Sequence, residues 1–254
     1  MDLTFGLPSF EYMAEKIAAF QSDETSDFFS DSLYLFYPQF DRKRMASLDQ
    51  PERVNYVCSE LSSVYQNELP LLQEKCISYQ NEWDRHRPVI QSTFENLFSI
   101  DLKGILNDMT ANITLNPVCP RFLVSHSFDI FYLNSPAGAL GLSLHEIVHF
   151  LWFQIWQKLF LDNPAEYESP NLKWVFSEMV VDLFLNHPCL RPLNPYLTKG
   201  NGTIYEYFDR MTIGGQPALP QMKQLYLSNS ISEFMEKGYS LCLQHESEIR
   251  SAMR

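Results

Sequence analysis

Five consecutive residues, His145-Glu146-Ile147-Val148-His149, combine two imidazoles and a carboxylate at a spacing that suits metal chemistry. On a helix, residues four apart lie one above the other on the same face, so both histidines can reach one ion while Glu146 projects beside them. Zinc lowers the pKa of a water that it binds, and a nearby carboxylate can accept the proton as that water attacks a polarised carbonyl. The motif therefore predicts a zinc site that hydrolyses amide bonds, with Glu146 as general base and then general acid.

The residues around this motif are strongly apolar, which predicts a buried helix. They are Leu140, Leu142, Leu144, Ile147, Val148, Phe150, Leu151, Trp152, Phe153, Ile155 and Trp156. Ser135-Pro136 is typical of the N-cap and first turn of such a helix. Buried titratable groups need partners, and a single ion that binds both imidazoles is one such partner. The alternative is a helix whose histidines and glutamate are solvated or hydrogen-bonded, since the same five letters would describe it.

A catalytic zinc normally has three protein ligands and a water, so a third ligand is needed. Ser169-Pro170 is typical of a capped helix start, and it opens a second apolar helix that carries Glu178 and Asp182. Their i, i+4 spacing places both carboxylates on one face, so Glu178 is the predicted ligand and Asp182 the predicted acceptor of a hydrogen bond from a ligand histidine. His187 is the alternative ligand, although its place at the helix end also suits a capping role.

The two motifs, His145-Glu146-x-x-His149 and Glu178-x-x-x-Asp182, together resemble those of the gluzincins, the thermolysin-like zinc peptidases. The resemblance covers about residues 110 to 190 and implies a zinc metallopeptidase with the two histidines and Glu178 on the metal. It also implies that the strand before the metal helix, within residues 125–133, borders the cleft and pairs with extended peptide. Ser177 stands where many thermolysin-like enzymes have asparagine, so a compact minimal gluzincin is the closer match.

A peptidase of this type also needs a hydrogen-bond donor for the oxyanion that develops during the reaction. The C-terminal segment, which we expect to cover the lower side of the cleft, offers Tyr205, Tyr207 and His245. No spacing rule chooses among these three, and each of them taken singly is more often an ordinary packed or exposed residue.

Composition and charge limit the fold and the partners. The chain has 254 residues, 45% of them hydrophobic, and only 9 glycines, which favours a helix-rich core over a β-sandwich or a glycine-rich nucleotide loop. A net charge of −12 disfavours nucleic acid and anionic membranes but is compatible with a neutral or cationic peptide or protein substrate. The first residues lack the pattern of a secretory signal and the 5 cysteines are widely spaced, which together predict a cytoplasmic protein.

The hydrophobic pattern divides the chain into two regions. Residues 1–104 predict an N-terminal helical region, with helix starts at Ser9 and Asp49 and breaks at residues 22–26 and Pro70. The only β-rich runs, at 112–116 and 122–133, predict a small sheet directly before the metal helix. The predicted fold class is therefore α+β and predominantly helical, with a gluzincin-like core over residues 105–254 whose C-terminal part is helical.

The alternative function is a non-catalytic, metal-binding regulatory or interaction protein that retains the metal helix. In that case the N-terminal helical region contacts a partner; in a further version it shields the cleft and holds a competent peptidase latent. Zinc is the expected cofactor in each case, although two imidazoles and a carboxylate also accept iron, manganese or cobalt.

Overall fold

The computed structural model of the chain describes residues 1–21, 27–199 and 202–253, and the polar break expected at residues 22–26 lies outside them. The chain is predominantly helical with a small mixed sheet, which confirms the α+β class. The α-helices are α1 (Phe10–Ala19), α2 (Asp27–Phe36), α3 (Arg42–Ser47), α4 (Gln50–Phe98), α5 (Pro136–Phe160), α6 (Leu172–Leu185), α7 (Pro195–Lys199), α8 (Ala218–Leu227), α9 (Ile231–Gln244) and α10 (Glu246–Ala252). The strands are β1 (Leu3–Gly6), β2 (Met109–Thr114), β3 (Arg121–Phe122), β4 (Ser127–Phe131), β5 (Thr212–Ile213) and β6 (Gln216–Pro217). Short 3-10 helices span Pro164–Tyr167, Arg191–Leu193 and Glu206–Asp209.

The chain forms two compact units, each built from two stretches of sequence. Unit 1 comprises Met1–Arg85 and Gly104–Ala139, and unit 2 comprises His86–Lys103 and Leu140–Arg254. Both units therefore contain residues from each side of position 104, where the hydrophobic pattern changes.

The sheet of unit 1 has the strand order β1-β2-β4-β3. Strand β2 pairs in parallel with β1 on one side and with β4 on the other. The sequence predicted only helices before residue 104, so β1 corrects that expectation: Leu3 and Phe5 are buried and Thr4 is exposed, as in a half-buried strand. Four residues are too few for this alternation to stand out in a sequence. Removal of residues 1–104 would therefore strip an edge strand from the sheet.

Strand β4 lies inside the sheet, between β2 and β3. Its antiparallel pairs with β3 are Arg121↔Phe128 and Phe122↔Ser127. This corrects the expectation that residues 125–133 form a free edge for an extended peptide, because β3 already occupies that edge at Ser127 and Phe128. The two proline-bounded β-rich runs did predict the sheet, but not the strand Arg121–Phe122 that closes it.

Helix α4 runs unbroken over 49 residues and begins as the sequence predicts. The Glu52 N–H donates to Asp49 Oδ1 at 2.9 Å, and the Asp49 N–H donates to Glu52 Oε2 at 3.1 Å, which is a reciprocal capping box. The predicted break at Pro70 is wrong, since the helix continues through it. A proline inside a helix costs about 3 kcal/mol. Burial of Leu61 and Leu72 on either side of it is the kind of tertiary packing that offsets this cost.

A buried carboxylate, Asp129, lies within the sheet of unit 1. Its Oδ1 accepts hydrogen bonds from Tyr12 Oη at 2.9 Å and from Asn112 Nδ2 at 3.1 Å. Its Oδ2 is buried and accepts none from the described residues. Burial raises the pKa of Asp129 to about 6, although hydrogen bonds from Asn112 and Tyr12 act in the opposite direction.

We expect Asp129→Asn to remove part of the pH dependence of stability. An acid whose pKa is raised from 3.8 to about 6 on folding stabilises the fold while it is protonated, and that contribution is lost as the pH rises through this range. Between about pH 4 and about pH 7 the free energy of unfolding should therefore fall by about 2 kcal/mol in the wild type relative to the variant. Urea denaturation between about pH 4 and about pH 7, with chelator present to exclude metal binding, measures the difference. Parallel curves for the two proteins would contradict this account.

Three aromatic side chains from three helices pack together in the core of unit 2. Trp152 on α5 lies 5.3 Å from Phe176 on α6 and 5.9 Å from Phe234 on α9, measured between ring centroids. Helix α9 approaches α6 closely because it has a glycine there: a Cβ atom on Gly238 would lie 2.5 Å from Phe176 Cζ. This close approach fixes the position of α6, which carries Glu178.

We expect Gly238→Ala to lower the free energy of unfolding by about 1–3 kcal/mol, because the ring of Phe176 is packed on other aromatic rings and cannot move aside. The better helix propensity of alanine, worth about 1 kcal/mol, acts against this loss. The control is Glu236→Ala, on the exposed side of the same helix, which should change stability little. A Gly238→Ala variant as stable as the wild type in urea would show that the approach is not tight.

Helix α6 begins later than the sequence predicts. Asn171, not Ser169, is the residue before the helix, and its carbonyl accepts the Val175 N–H at 3.1 Å to form the first turn.

The connection from α5 to α6 is held by Asp162, which accepts hydrogen bonds from Trp156 Nε1 at 2.9 Å and Tyr167 Oη at 2.5 Å. Lys173 Nζ on α6 lies 2.5 Å from the same carboxylate. Burial alone would raise the pKa of Asp162, but these donors lower it below its ordinary value.

Candidate metal centre

Helix α5 carries both predicted histidine ligands. It begins as the sequence predicts, because Ser135 Oγ accepts the Gly138 N–H at 3.0 Å and Pro136 is the first helical residue. Within unit 2 the helix buries His149 completely and leaves 16% of the His145 side chain exposed. The apolar residues that surround the motif in the sequence therefore do bury it, with one histidine reaching the surface.

The side chains of His145, His149 and Glu178 converge, so that their nitrogen and oxygen atoms lie close together. The two histidine Nε2 atoms lie 3.1 Å apart. Glu178 Oε1 lies 3.1 Å from His149 Nε2, and Glu178 Oε2 lies 3.3 Å from His145 Nε2. Their ligand atoms all fall within 4.8 Å of one another, so these three residues form a group that could hold a metal ion.

The separations and the chemistry of this group fit a tetrahedral metal site. Ligand atoms bound about 2.05 Å from one zinc ion at tetrahedral angles are roughly 3.3 Å apart, close to the separations of 3.1–3.3 Å found here. Glu178 Oε2 is buried and forms no hydrogen bond of acceptable geometry with any described residue, which leaves it available to an ion. Burial of Glu178 opposes its charge, but the adjacent His149 and His145 hold its pKa well below the ordinary value.

Glu146 lies beside the two histidines on α5. Successive residues of a helix are about 100° apart, so position 146 is about 100° from position 145 and about 60° from position 149 around the axis. Its side chain is nearly buried, with 5% of the residue exposed. The predicted general base therefore lies on the part of the helix surface next to the metal-binding face.

Asp182 does not have the role that the sequence predicts for it. Its Oδ2 accepts the Ile204 N–H at 2.8 Å and its Oδ1 accepts Asn186 Nδ2 at 3.1 Å, so no described histidine donates to it. Asp182 lies one helical turn beyond Glu178, where a backbone segment supplies the donor instead. Burial raises the pKa of Asp182 to about 6.

Among the three candidate oxyanion donors, Tyr207 differs from the other two in its surroundings. Its hydroxyl oxygen is buried and has no hydrogen-bond partner among the described residues. Burial raises the pKa of Tyr207, and the negative charge of Glu178 raises it further. The ring of Tyr205 stacks on that of Tyr207, with 5.0 Å between the ring centroids. His245 follows the last residue of α9, and its Nδ1 lies 3.5 Å from the carboxylate of Glu248 on α10.

His187, the alternative third ligand, is not part of the metal-binding group found among the described residues. Its Nδ1 accepts the Cys189 N–H at 3.2 Å, and its carbonyl accepts the N–H groups of Leu190 and Arg191. The structure therefore favours Glu178 over the alternative, His187, which organises the turn that follows α6.

The segment that follows this turn is attached to both metal-binding helices, which the sequence did not indicate. A Cβ atom on Gly141 of α5 would lie 2.8 Å from Oδ1 of the buried Asn194, and Asn186 Nδ2 on α6 donates to the Gly202 carbonyl at 3.0 Å. A glycine inside an apolar helix can indicate such a close approach. The asparagines offer no comparable signal, because their partners are distant or are backbone atoms.

Comparison with known proteins gives no match to a protein-family model, to a curated protein or to a solved structure. Among the described residues, no helix combines the length and the apolar character needed to cross a membrane. The site is therefore defined by its own residues, as a buried His-His-Glu group that could bind a metal ion.

We expect the full chain, stripped with chelator, to take up one divalent ion and to gain stability when it does. At zinc concentrations about 100-fold above the dissociation constant the gain should be about 2.7 kcal/mol. His149→Ala should lose both the stoichiometric binding and the stabilisation, whereas His187→Ala should keep both because His187 lies outside the group. Metal analysis and thermal denaturation provide the measurements, and full zinc occupancy in folded His149→Ala would rule out this site.

Proposed function

We propose that the chain is a zinc-dependent metallopeptidase, a compact gluzincin-like enzyme that hydrolyses peptide bonds with Glu146 as general base. The observation that carries this proposal is the convergence of three largely buried side chains, those of His145, His149 and Glu178. Their ligand atoms lie at separations suited to one tetrahedral ion. Two imidazoles and one carboxylate are a common catalytic zinc set, and three ligands leave a coordination position for a water or substrate. The resemblance of the two helix motifs to those of gluzincins supports the same function.

A bound zinc ion would polarise a carbonyl oxygen and make a water more acidic. His145 and His149, on successive turns of α5, and Glu178 on α6 would hold it. All three come from helices of unit 2, which provide a more rigid frame for a site than loops do.

Glu146 would move the protons of the reaction. Its carboxylate would accept a proton from the attacking water and then deliver that proton to the nitrogen of the departing amine. The nearly complete burial of Glu146 supports this role, because it keeps the carboxylate away from bulk water next to the metal-binding face. General acid–base catalysis of this kind contributes about 10²–10⁴-fold to the rate.

Tyr207 would stabilise the oxyanion that forms from the substrate carbonyl. The burial of its hydroxyl and the effect of the Glu178 charge on its pKa support this choice over Tyr205 and His245. A phenol with a raised pKa stays protonated at neutral pH and so remains a donor. One such donor is worth about 10²–10³-fold in kcat.

A peptide or protein substrate in a reducing, cytoplasmic setting completes the proposal. The net charge of −12 favours neutral or cationic peptides. Cys58, Cys76, Cys119, Cys189 and Cys242 are free thiols, as expected in a reducing compartment.

We expect Glu146→Gln to bind zinc as tightly as the wild type and to lose about 10²–10⁴-fold in peptide cleavage, since glutamine cannot accept the proton. Zinc content and hydrolysis of a broad library of fluorogenic neutral and basic peptides provide the two measurements. Glu236→Gln, an exposed glutamate on α9, is the matched control and should cleave as the wild type does. Folded, zinc-loaded wild type that cleaves no more than Glu146→Gln would favour the non-catalytic, metal-binding alternative.

A further inference from the structure

The last turns of α6 hold the segment that carries Tyr207. Asp182 Oδ2 accepts the Ile204 N–H at 2.8 Å, and Asn186 Nδ2 donates to the Gly202 carbonyl at 3.0 Å. Asn186 Nδ2 also donates to Asp182 Oδ1 at 3.1 Å, so the two side chains support each other. We call Asp182 and Asn186 the α6 clasp, because together they bind one backbone donor and one backbone acceptor of the same segment.

The clasp is connected to Tyr207 through only a few residues. Ile204 precedes the 3-10 helix Glu206–Asp209, in which the Phe208 N–H donates to the Tyr205 carbonyl at 3.0 Å. Phe208 is buried and anchors the other side of this turn. The tyrosine ring therefore lies on a short, hydrogen-bonded turn whose position depends on the clasp before it and on Phe208 within it.

The clasp is separate from the metal-binding residues, although it shares α6 with Glu178. Neither oxygen of Asp182 bonds to a described histidine, and Asp182 is one full turn from Glu178. The ligand group is instead supported by burial and by the aromatic packing of Trp152 and Phe176. Loss of the clasp should therefore loosen the tyrosine segment and leave the metal-binding group intact.

We propose that Asp182 is a positioning residue, which through Ile204 holds in place the turn that carries Tyr207 and its buried hydroxyl. This inference rests on the proposed peptidase function for its effect on rate. The clasp itself is a statement about structure that can be measured without any activity. A donor placed in advance of the reaction contributes more than one that must be ordered during it, because no reorganisation is needed in the transition state.

The test compares zinc-loaded wild type with Asp182→Ala, Tyr207→Phe and the double variant. Asp209→Asn is the matched control, since it removes an exposed carboxylate of the same segment that forms no part of the clasp. Amide hydrogen exchange across residues 202–209 should quicken by about tenfold or more in Asp182→Ala, with the amides of α9 unchanged. Zinc content should stay at the wild-type value, and Asp209→Asn should match the wild type in each measurement.

Kinetics then separate positioning from general support. Asp182→Ala should lower kcat by about tenfold or more with KM changed by less than about threefold, and the double variant should be no slower than Tyr207→Phe alone. Fully additive effects, unchanged exchange at Ile204, or loss of zinc together with activity would each overturn the proposal. If Asp182→Ala does not fold, Asn186→Ala removes the Gly202 contact and should give the same pattern to a smaller degree.

Failure of the peptidase proposal would be visible separately. A wild type that binds zinc but cleaves no peptide refutes the enzyme, whereas faster exchange in Asp182→Ala but not in Asp209→Asn still supports the clasp. Conversely, an active wild type together with a fully active Asp182→Ala refutes the positioning role of Asp182 but does not contradict the proposed peptidase function.

Discussion

The carboxylate of Glu178 is buried against two imidazoles, and this contact makes the strongest electrostatic demand on unit 2. A buried carboxylate is costly unless it is paired, and His145 and His149 alone satisfy it incompletely, because Oε2 forms no well-aligned hydrogen bond with the described residues. Glu146 is nearly buried as well, next to the metal-binding face of α5. A divalent cation would compensate the charge of Glu178, which is the physical reason for interpreting this group as a metal centre.

The packing around the group is consistent with a site of fixed geometry. Trp152 and Phe176 meet between α5 and α6, while the glycine at position 238 lets α9 pack directly against Phe176. Asp162 and Lys173 join the end of α5 to the start of α6 through an ion pair. Helices held from several sides cannot easily slide past one another, so the histidines and the glutamate keep their mutual distances.

Much of the site could be predicted from local sequence, and the reasons for the misses are physical. The His-x-x-x-His spacing, the apolar run around it and the Ser135 cap all concern residues within one helix, so the period of the helix alone relates them. Glu178 could be selected because a catalytic zinc needs a third ligand and the next helix offers an acid on a suitable face.

The partner of Asp182 could not be predicted in this way. Asp182 shares the face of Glu178, but it accepts a hydrogen bond from the backbone N–H of residue 204. No pattern of side chains indicates a backbone donor that far along the chain. Tyr207 could be separated from Tyr205 only once the burial of its hydroxyl was known. Similarly, β1 and the passage of α4 through Pro70 depend on packing between distant segments, which overrides local propensity.

The short connection between α5 and α6 has a consequence for the order in which the protein assembles. All three metal-binding side chains lie within one stretch of sequence from residue 145 to residue 178, and Asp162 and Tyr167 close the connection locally. The entropy lost in closing a loop grows only slowly with its length, so bringing these two helices together costs about 1 kcal/mol less than pairing β1 with β2 across about a hundred residues. On refolding of the full chain, α5 and α6 would thus come together ahead of β1 and β2, and an ion bound at that stage would stabilise the paired helices.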